Sequence, residues 1–142
     1  MNTVIFRTLA PTVVAIMLVF SAYVCLRGHN EPGGGFIGGL IGAAAIAVFA
    51  LASDVRAVRR ALRVDPLAIA GFGVVLAGSS GLLSLFTGSP FMTSIWIELG
   101  AGQGALALST PLFFDLGVYC TVFGTLSCVA LLLLDGEREE EA

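Results

Sequence analysis

TLAPTVVAIMLVFSAYVCL, residues 8–26, carries no charged side chain and is long enough as an α-helix to cross a bilayer. A hydrocarbon core about 30 Å thick calls for roughly 20 apolar residues at 1.5 Å of rise each. Pro11 falls near the start of the run, where a first helical turn tolerates it. A cleaved signal peptide would show a small-x-small site after the apolar stretch, and none follows. Ala22-Tyr23-Val24 ahead of Cys25 makes a poor lipoprotein box. The expectation is a retained first membrane helix.

Working outward, Arg27-Gly28-His29-Asn30-Glu31-Pro32-Gly33-Gly34-Gly35 breaks the chain, because proline and three consecutive glycines do not continue a helix cheaply. Residues 36–53 supply a second uncharged span and 67–87 a third. Between them, residues 54–66 hold four of the chain's seven basic residues, all arginine, with two aspartates. Residues 88–110 contain Pro90, Glu98 and glycines at 100, 102 and 104, with Trp96 suited to a membrane interface. That segment reads as a long loop or a helix lying along the membrane surface, with a re-entrant segment as the alternative. Residues 116–134 form the fourth span, with Asp115 placed to cap its N-terminus. The sequence therefore predicts an all-α integral membrane fold of four transmembrane helices. It forms one domain over residues 1–135, with an acidic cytoplasmic tail at 136–142.

The composition agrees. Charged residues make up 12% of the chain, against about 25% in a soluble domain, and mean hydropathy is +0.97. Lipid is the solvent that suits such a chain, and nothing resembles a basic nucleic-acid surface. Arginine bias gives an orientation: with 54–66 in the cytoplasm both termini lie there too (N-in/C-in), and only Arg27 is external. Cys25, Cys120 and Cys128 all sit in apolar runs, without the spacing of a disulfide framework or metal site. No metal or cofactor is expected.

Small residues recur every four positions. Gly34, Gly38 and Gly42 form one row, Gly35, Gly39, Ala43 and Ala47 another, and Gly73, Ala77 and Gly81 a third. Such rows let helix backbones approach closely in lipid. With several rows in so few helices, packing against other subunits is expected beyond packing within the chain.

Transporters that bind ions or relay protons place ionisable groups inside their spans despite the cost. The four spans as delimited contain none. Their interiors hold only hydroxyls, among them Ser21, Tyr23, Ser79, Ser80, Ser84, Tyr119, Thr121, Thr125 and Ser127, which suit bonds to helix carbonyls or neighbouring helices. The polar border residues are His29, Glu31, Asp54, Glu98 and Asp115. His29 is the sole histidine and titrates near neutral pH when unperturbed, though a loop histidine more often shapes its loop. The glycine run lacks the order of a phosphate-binding loop, and no nucleophile–histidine–acid arrangement suggests an enzyme. A dimeric four-helix exporter would need a carboxylate embedded in a span. The chain reads as one piece of a complex whose ionisable path lies largely on partners.

Two stretches carry a resemblance. Gly28-His29-Asn30-Glu31-Pro32-Gly33-Gly34-Gly35-Phe36-Ile37-Gly38-Gly39-Leu40 opens the second span, and Ser109-Thr110-Pro111-Leu112-Phe113-Phe114-Asp115-Leu116-Gly117-Val118-Tyr119 the fourth. In this order and at these positions they resemble the B subunit of Mrp-type (Mnh-type) multisubunit sodium/proton antiporters, along nearly the whole chain except the acidic tail. The resemblance implies a bacterial inner-membrane hetero-oligomer that exchanges Na⁺ for H⁺, with the proton relay on larger subunits. It also implies a role for His29, Pro32 and Phe36 in or near the ion path or its gating. Asn30, Glu31 and Asp115 join them as candidates. Phe36 would serve as a hydrophobic plug, and glycines 33–35 would free backbone groups to face a cavity. The equivalent subunit of a redox-driven pump, such as a membrane-bound hydrogenase or complex I-like assembly, stays open on the sequence of this chain alone.

Overall fold

A computed structural model describes residues 4–28, 33–86, 96–99 and 106–140. Helix α1 runs Val4–Arg27, α2 Gly34–Ala52, α3 Val55–Leu62, α4 Pro66–Phe86 and α5 Thr110–Glu140. Strands β1 (Trp96–Leu99) and β2 (Leu106–Ser109) lie between α4 and α5 and pair antiparallel, with Trp96 opposite Ser109 and Leu99 opposite Leu106. Among the described residues, four helices are long and apolar enough to cross a membrane: α1, α2, α4 and α5.

Each local start has a chemical cause. Gly33 adopts φ 98°, a left-handed conformation that glycine reaches without steric penalty, and its carbonyl accepts from Ile37 N at 3.1 Å in the first turn of α2. Asp65 accepts from Leu67 N at 2.8 Å, with Pro66 first in α4. A carboxylate cap followed by proline is a strong helix start. At the end of α3, Arg63 takes φ 58° and its N–H reaches Arg59 O at 3.3 Å.

The helices pack in the order α1, α2, α5, α4: α2 and α5 form the centre, α1 lies mainly on α2, and α4 lies mainly on α5. At one end, α3 tucks Val55 and Val58 under the layer against Ile46, Ala50 and Leu131. These α3 valines are 1% and 0% exposed, while Arg56, Arg59 and Arg60 stay outside. Alternation of buried and cationic positions at helical spacing makes α3 amphipathic, where the arginine count alone marks only a polar connection.

Several expectations are corrected. Residues 96–99 and 106–109 are paired strands rather than part of a surface helix; the rest of 88–105 lies outside the described residues. The fourth helix begins at Thr110 and continues to Glu140, so it includes much of the acidic tail. Pro111 is its second residue, where a missing N–H costs nothing. Asp115 is therefore inside the fourth membrane helix, not its cap, and the spans are not free of ionisable groups. Pro11 likewise lies within α1, which starts at Val4. It withholds the amide that would meet the Arg7 carbonyl one turn back.

Candidate functional site

Close approach of three helices builds the site. A side chain added at Gly34 would strike Gly28 Cα and, at 2.8 Å, the Val24 carbonyl; one at Gly38 would meet Ser21 O at 2.8 Å. These glycines bring α2 onto α1. The next row faces α5: a Cβ at Gly35 would collide with the backbone of Asp115, and one at Gly39 would stand 2.9 Å from Val122 Cβ. Gly42 serves both neighbours, facing Ser21 Oγ and Phe123. On the far side of α5, Gly73 meets Gly117 O and Thr121, and Ala77 meets Gly117. The rows at Gly34, Gly38, Gly42, Gly73 and Ala77 are thus used within the chain's own bundle. Gly81 is buried.

At one end of this packing, where α1 ends and α2 begins, stands Asp115. Its Oδ2 lies 3.0 Å from where a Gly28 side chain would begin, and its backbone abuts Gly35. The half-buried carboxylate therefore sits where the ends of α1 and α2 converge, beside the N-terminus of α2. The positive end of a helix dipole favours an anion there by roughly 0.3–2 kcal/mol. Arg27, the last residue of α1, donates from Nη1 to Tyr23 Oη at 3.4 Å at the same end. The sequence motifs at 28–40 and 109–119 are far apart in the chain, yet the fold makes them one place.

One turn deeper lies a polar contact that joins the two motif stretches through Ser21, which belongs to neither. Ser21 Oγ donates to Gly38 O at 2.8 Å and lies 2.9 Å from Tyr119 Oη. Ser21 is 0% exposed, and Tyr119 stacks on Phe123 with ring centres 6.0 Å apart. Both hydroxyls are visible in the sequence as mid-span polar groups; their pairing needs the helix register. Other hydroxyls bond back to their own helices, as Thr121 does to Gly117 O at 2.8 Å and Ser80 to Ala77 O at 2.7 Å. Ser127 Oγ is buried with no partner among the described residues.

His29, Asn30, Glu31 and Pro32 lie outside the described residues. Phe36 is 52% exposed, on a face of α2 away from both glycine rows, so it does not plug the interior of this chain. Among the described residues no three His, Cys, Asp or Glu side chains gather as a metal site.

A layer of apolar helices with one carboxylate at a glycine-lined convergence defines a small helical membrane protein with a polar site at one end. Residues 5–128 match the family described as a domain related to the MnhB subunit of Na⁺/H⁺ antiporter. The chain is 40% identical over 142 residues to the B subunit of the Na⁺/H⁺ antiporter from Bacillus subtilis, covering 99% of this chain and 96% of that protein. It is 36% identical over 137 residues to the corresponding Na⁺/H⁺ antiporter protein of Alkalihalophilus pseudofirmus, covering 96% and 95%. Among solved structures, the Mrp complex from Dietzia sp. DQ12-45-1b contains a chain that matches with TM-score 0.74 and 36% identity. That match covers 92% of this chain and 14% of the solved one. The chain belongs to the MnhB family.

Proposed function

We propose that this protein is a membrane subunit of a multisubunit Na⁺/H⁺ antiporter, needed for assembly, for lining the ion path, or for both, without a complete proton relay of its own. Full-length kinship to antiporter B subunits supports this reading over the equivalent subunit of a redox-driven pump. The protein works in a hetero-oligomer in the bacterial cell membrane, as a multi-pass, non-enzymatic subunit of a secondary transporter. The arginines of α3 lie in the cytoplasm with both termini, and Arg27, Asp115 and the strand pair lie toward the outside.

One observation carries the site: the Asp115 carboxylate against the Gly28–Gly34 contact. A carboxylate at the outer end of a membrane helix, beside a glycine-rich turn, is chemically suited to receive a Na⁺ or a proton near the external surface. His29, Asn30, Glu31 and Pro32 belong to the segment that joins α1 to α2 at this end, and complete the set of path or gating candidates with Phe36. Phe36, exposed on α2, is available to close against a neighbouring subunit.

Asp115→Asn tests the reading directly. Na⁺-driven pH changes in everted vesicles should fall at least tenfold, while blue-native gels show the complex at its normal size and amount. Loss of the assembled complex together with activity would assign Asp115 to packing alone.

A further inference from the structure

The glycine row that draws α1 onto α2 ends at Gly42. Beyond it, towards α3, the helices leave a notch of about 300 Å³. Pro11, Ala15 and Leu18 of α1 form one wall, Phe49 of α2 the second, and Ala61 and Leu62 of α3 close the end. All six side chains are apolar.

Arg7 stands at that same end. It lies one turn before Pro11 on the α1 stripe that continues through Ala15 and Leu18. Its Nε donates to the Ala52 carbonyl, the last residue of α2, at 3.2 Å. A guanidinium has five N–H donors, so this bond fixes its direction and leaves its terminal nitrogens for an anion. Close by, α3 displays Arg56 and Arg60 to solvent and is followed by Arg63 at its cap, while Arg59 meets Asp135 at 3.4 Å.

We propose that this notch holds a phospholipid, with its phosphate at Arg7, an acyl chain between α1 and α2, and α3 selecting an anionic headgroup. Depth supports the occupant. Arg7 lies near the start of a membrane-crossing helix, at headgroup level, and Leu18 lies about 16 Å further along it, within the hydrocarbon. An amphipathic helix with a basic outer face is itself a lipid-binding element. Of the nearby aspartates, Asp65 is held by Leu67 N and Asp135 by Arg59, and Asp54, two residues beyond Ala52, is itself engaged in an interaction. The acidic tail extends from α5, which does not line the notch. The inference stands apart from the transport reading, because the lipid binds whichever ion the complex moves.

The test uses the intact complex containing this chain, reconstituted in phosphatidylcholine vesicles with a trace of phosphatidylglycerol bearing a diazirine on its acyl chain. After illumination, labelled peptides are mapped by mass spectrometry. Label should concentrate on residues 11–18 and 61–62, well above the lipid-facing surface of α4 around Phe72 and Val75. The Arg7→Gln variant should lose roughly fivefold of the notch label, the share of one basic residue at a membrane surface. Ala15→Phe, which fills the notch, should lose at least as much, and Arg7→Lys should restore most of it. If Ala15→Phe does not assemble, the Arg7 pair decides alone. Labelling equal to that of α4, labelling unchanged in Arg7→Gln, equal labelling by a phosphatidylcholine probe, or crosslinks from the notch to another subunit would each overturn the proposal. Transport, measured separately, reports on the antiporter reading.

Discussion

Tyr119 hydrogen-bonds to Ser21 across the top of α2, oxygen to oxygen at 2.9 Å, joining residues 98 positions apart. Ser21 has a single hydroxyl proton and gives it to the Gly38 carbonyl at 2.8 Å, so Tyr119 is the donor of the pair. The chain of donors ends on a backbone carbonyl, which has no proton to pass on. The pair therefore clamps α1, α2 and α5 together and does not extend a relay inward from Asp115.

If the pair is a clamp, its loss should show in stability before transport. Interhelical hydrogen bonds in membranes average about 0.6 kcal/mol and reach about 1.7. Tyr119→Phe removes one bond and Ser21→Ala removes both, so the purified complex should melt lower in the second variant than in the first. The double variant should match Ser21→Ala. Abolished exchange in a Tyr119→Phe complex of unchanged melting temperature would contradict the clamp.

Glycines on the two faces of this bundle should differ sharply. Gly35→Ala drives a methyl into the Asp115 backbone, and Gly39→Ala places one 3.0 Å from Tyr119 O. Overpacking of this kind costs about 1–3 kcal/mol, more where backbone must move. Gly71 and Gly78 have nothing within 4 Å of a new Cβ. Alanine there should be neutral or gain about 0.5–1 kcal/mol of helix propensity. Complex abundance on blue-native gels should fall for the first pair and hold for the second.

The ion pair of Arg59 and Asp135 is a weak tether, whereas Val58 is a strong one. The two charged side chains are 43% and 45% exposed, and such pairs contribute about 0–1 kcal/mol. Arg59→Gln should leave the melting temperature within a degree or two. Val58 is fully buried, and Val58→Asp puts an unpaired charge into the core. That variant should fail to accumulate.

Sidedness is measurable in a variant with Cys25, Cys120 and Cys128 replaced by alanine. A cysteine placed by Arg27→Cys should react with a membrane-impermeant maleimide on intact cells. One placed by Arg60→Cys should react only after the cells are opened. The reverse pattern would invert the proposed orientation.

Much of this architecture is legible in the sequence because lipid imposes a coarse rule: about 20 uncharged residues, then a break. Residues 8–26, 36–53 and 67–87 mark α1, α2 and α4 to within a few positions. The rule fails where a helix outruns the hydrocarbon. Nothing in the apolar count of 116–134 requires α5 to start at Thr110, and that missing turn and a half is what places Asp115 in a helix. The strands at 96–99 and 106–109 leave little trace because a four-residue pair depends on its partner more than on its own pattern. In α3, the valines at 55 and 58 are outweighed by four nearby arginines, although their spacing marks an amphipathic helix.

The sequence by itself determined that this is a membrane protein of four spanning helices and where its breaks fall. Those are properties of single segments in a known solvent. Only the tertiary structure decided that Gly28, Gly34, Gly35 and Asp115 meet, that the glycine rows serve the chain's own bundle, and that Ser21 finds Tyr119. Each depends on the rotation and depth of one helix against another. Small residues permit close approach on any face, and packing alone selects which face is used.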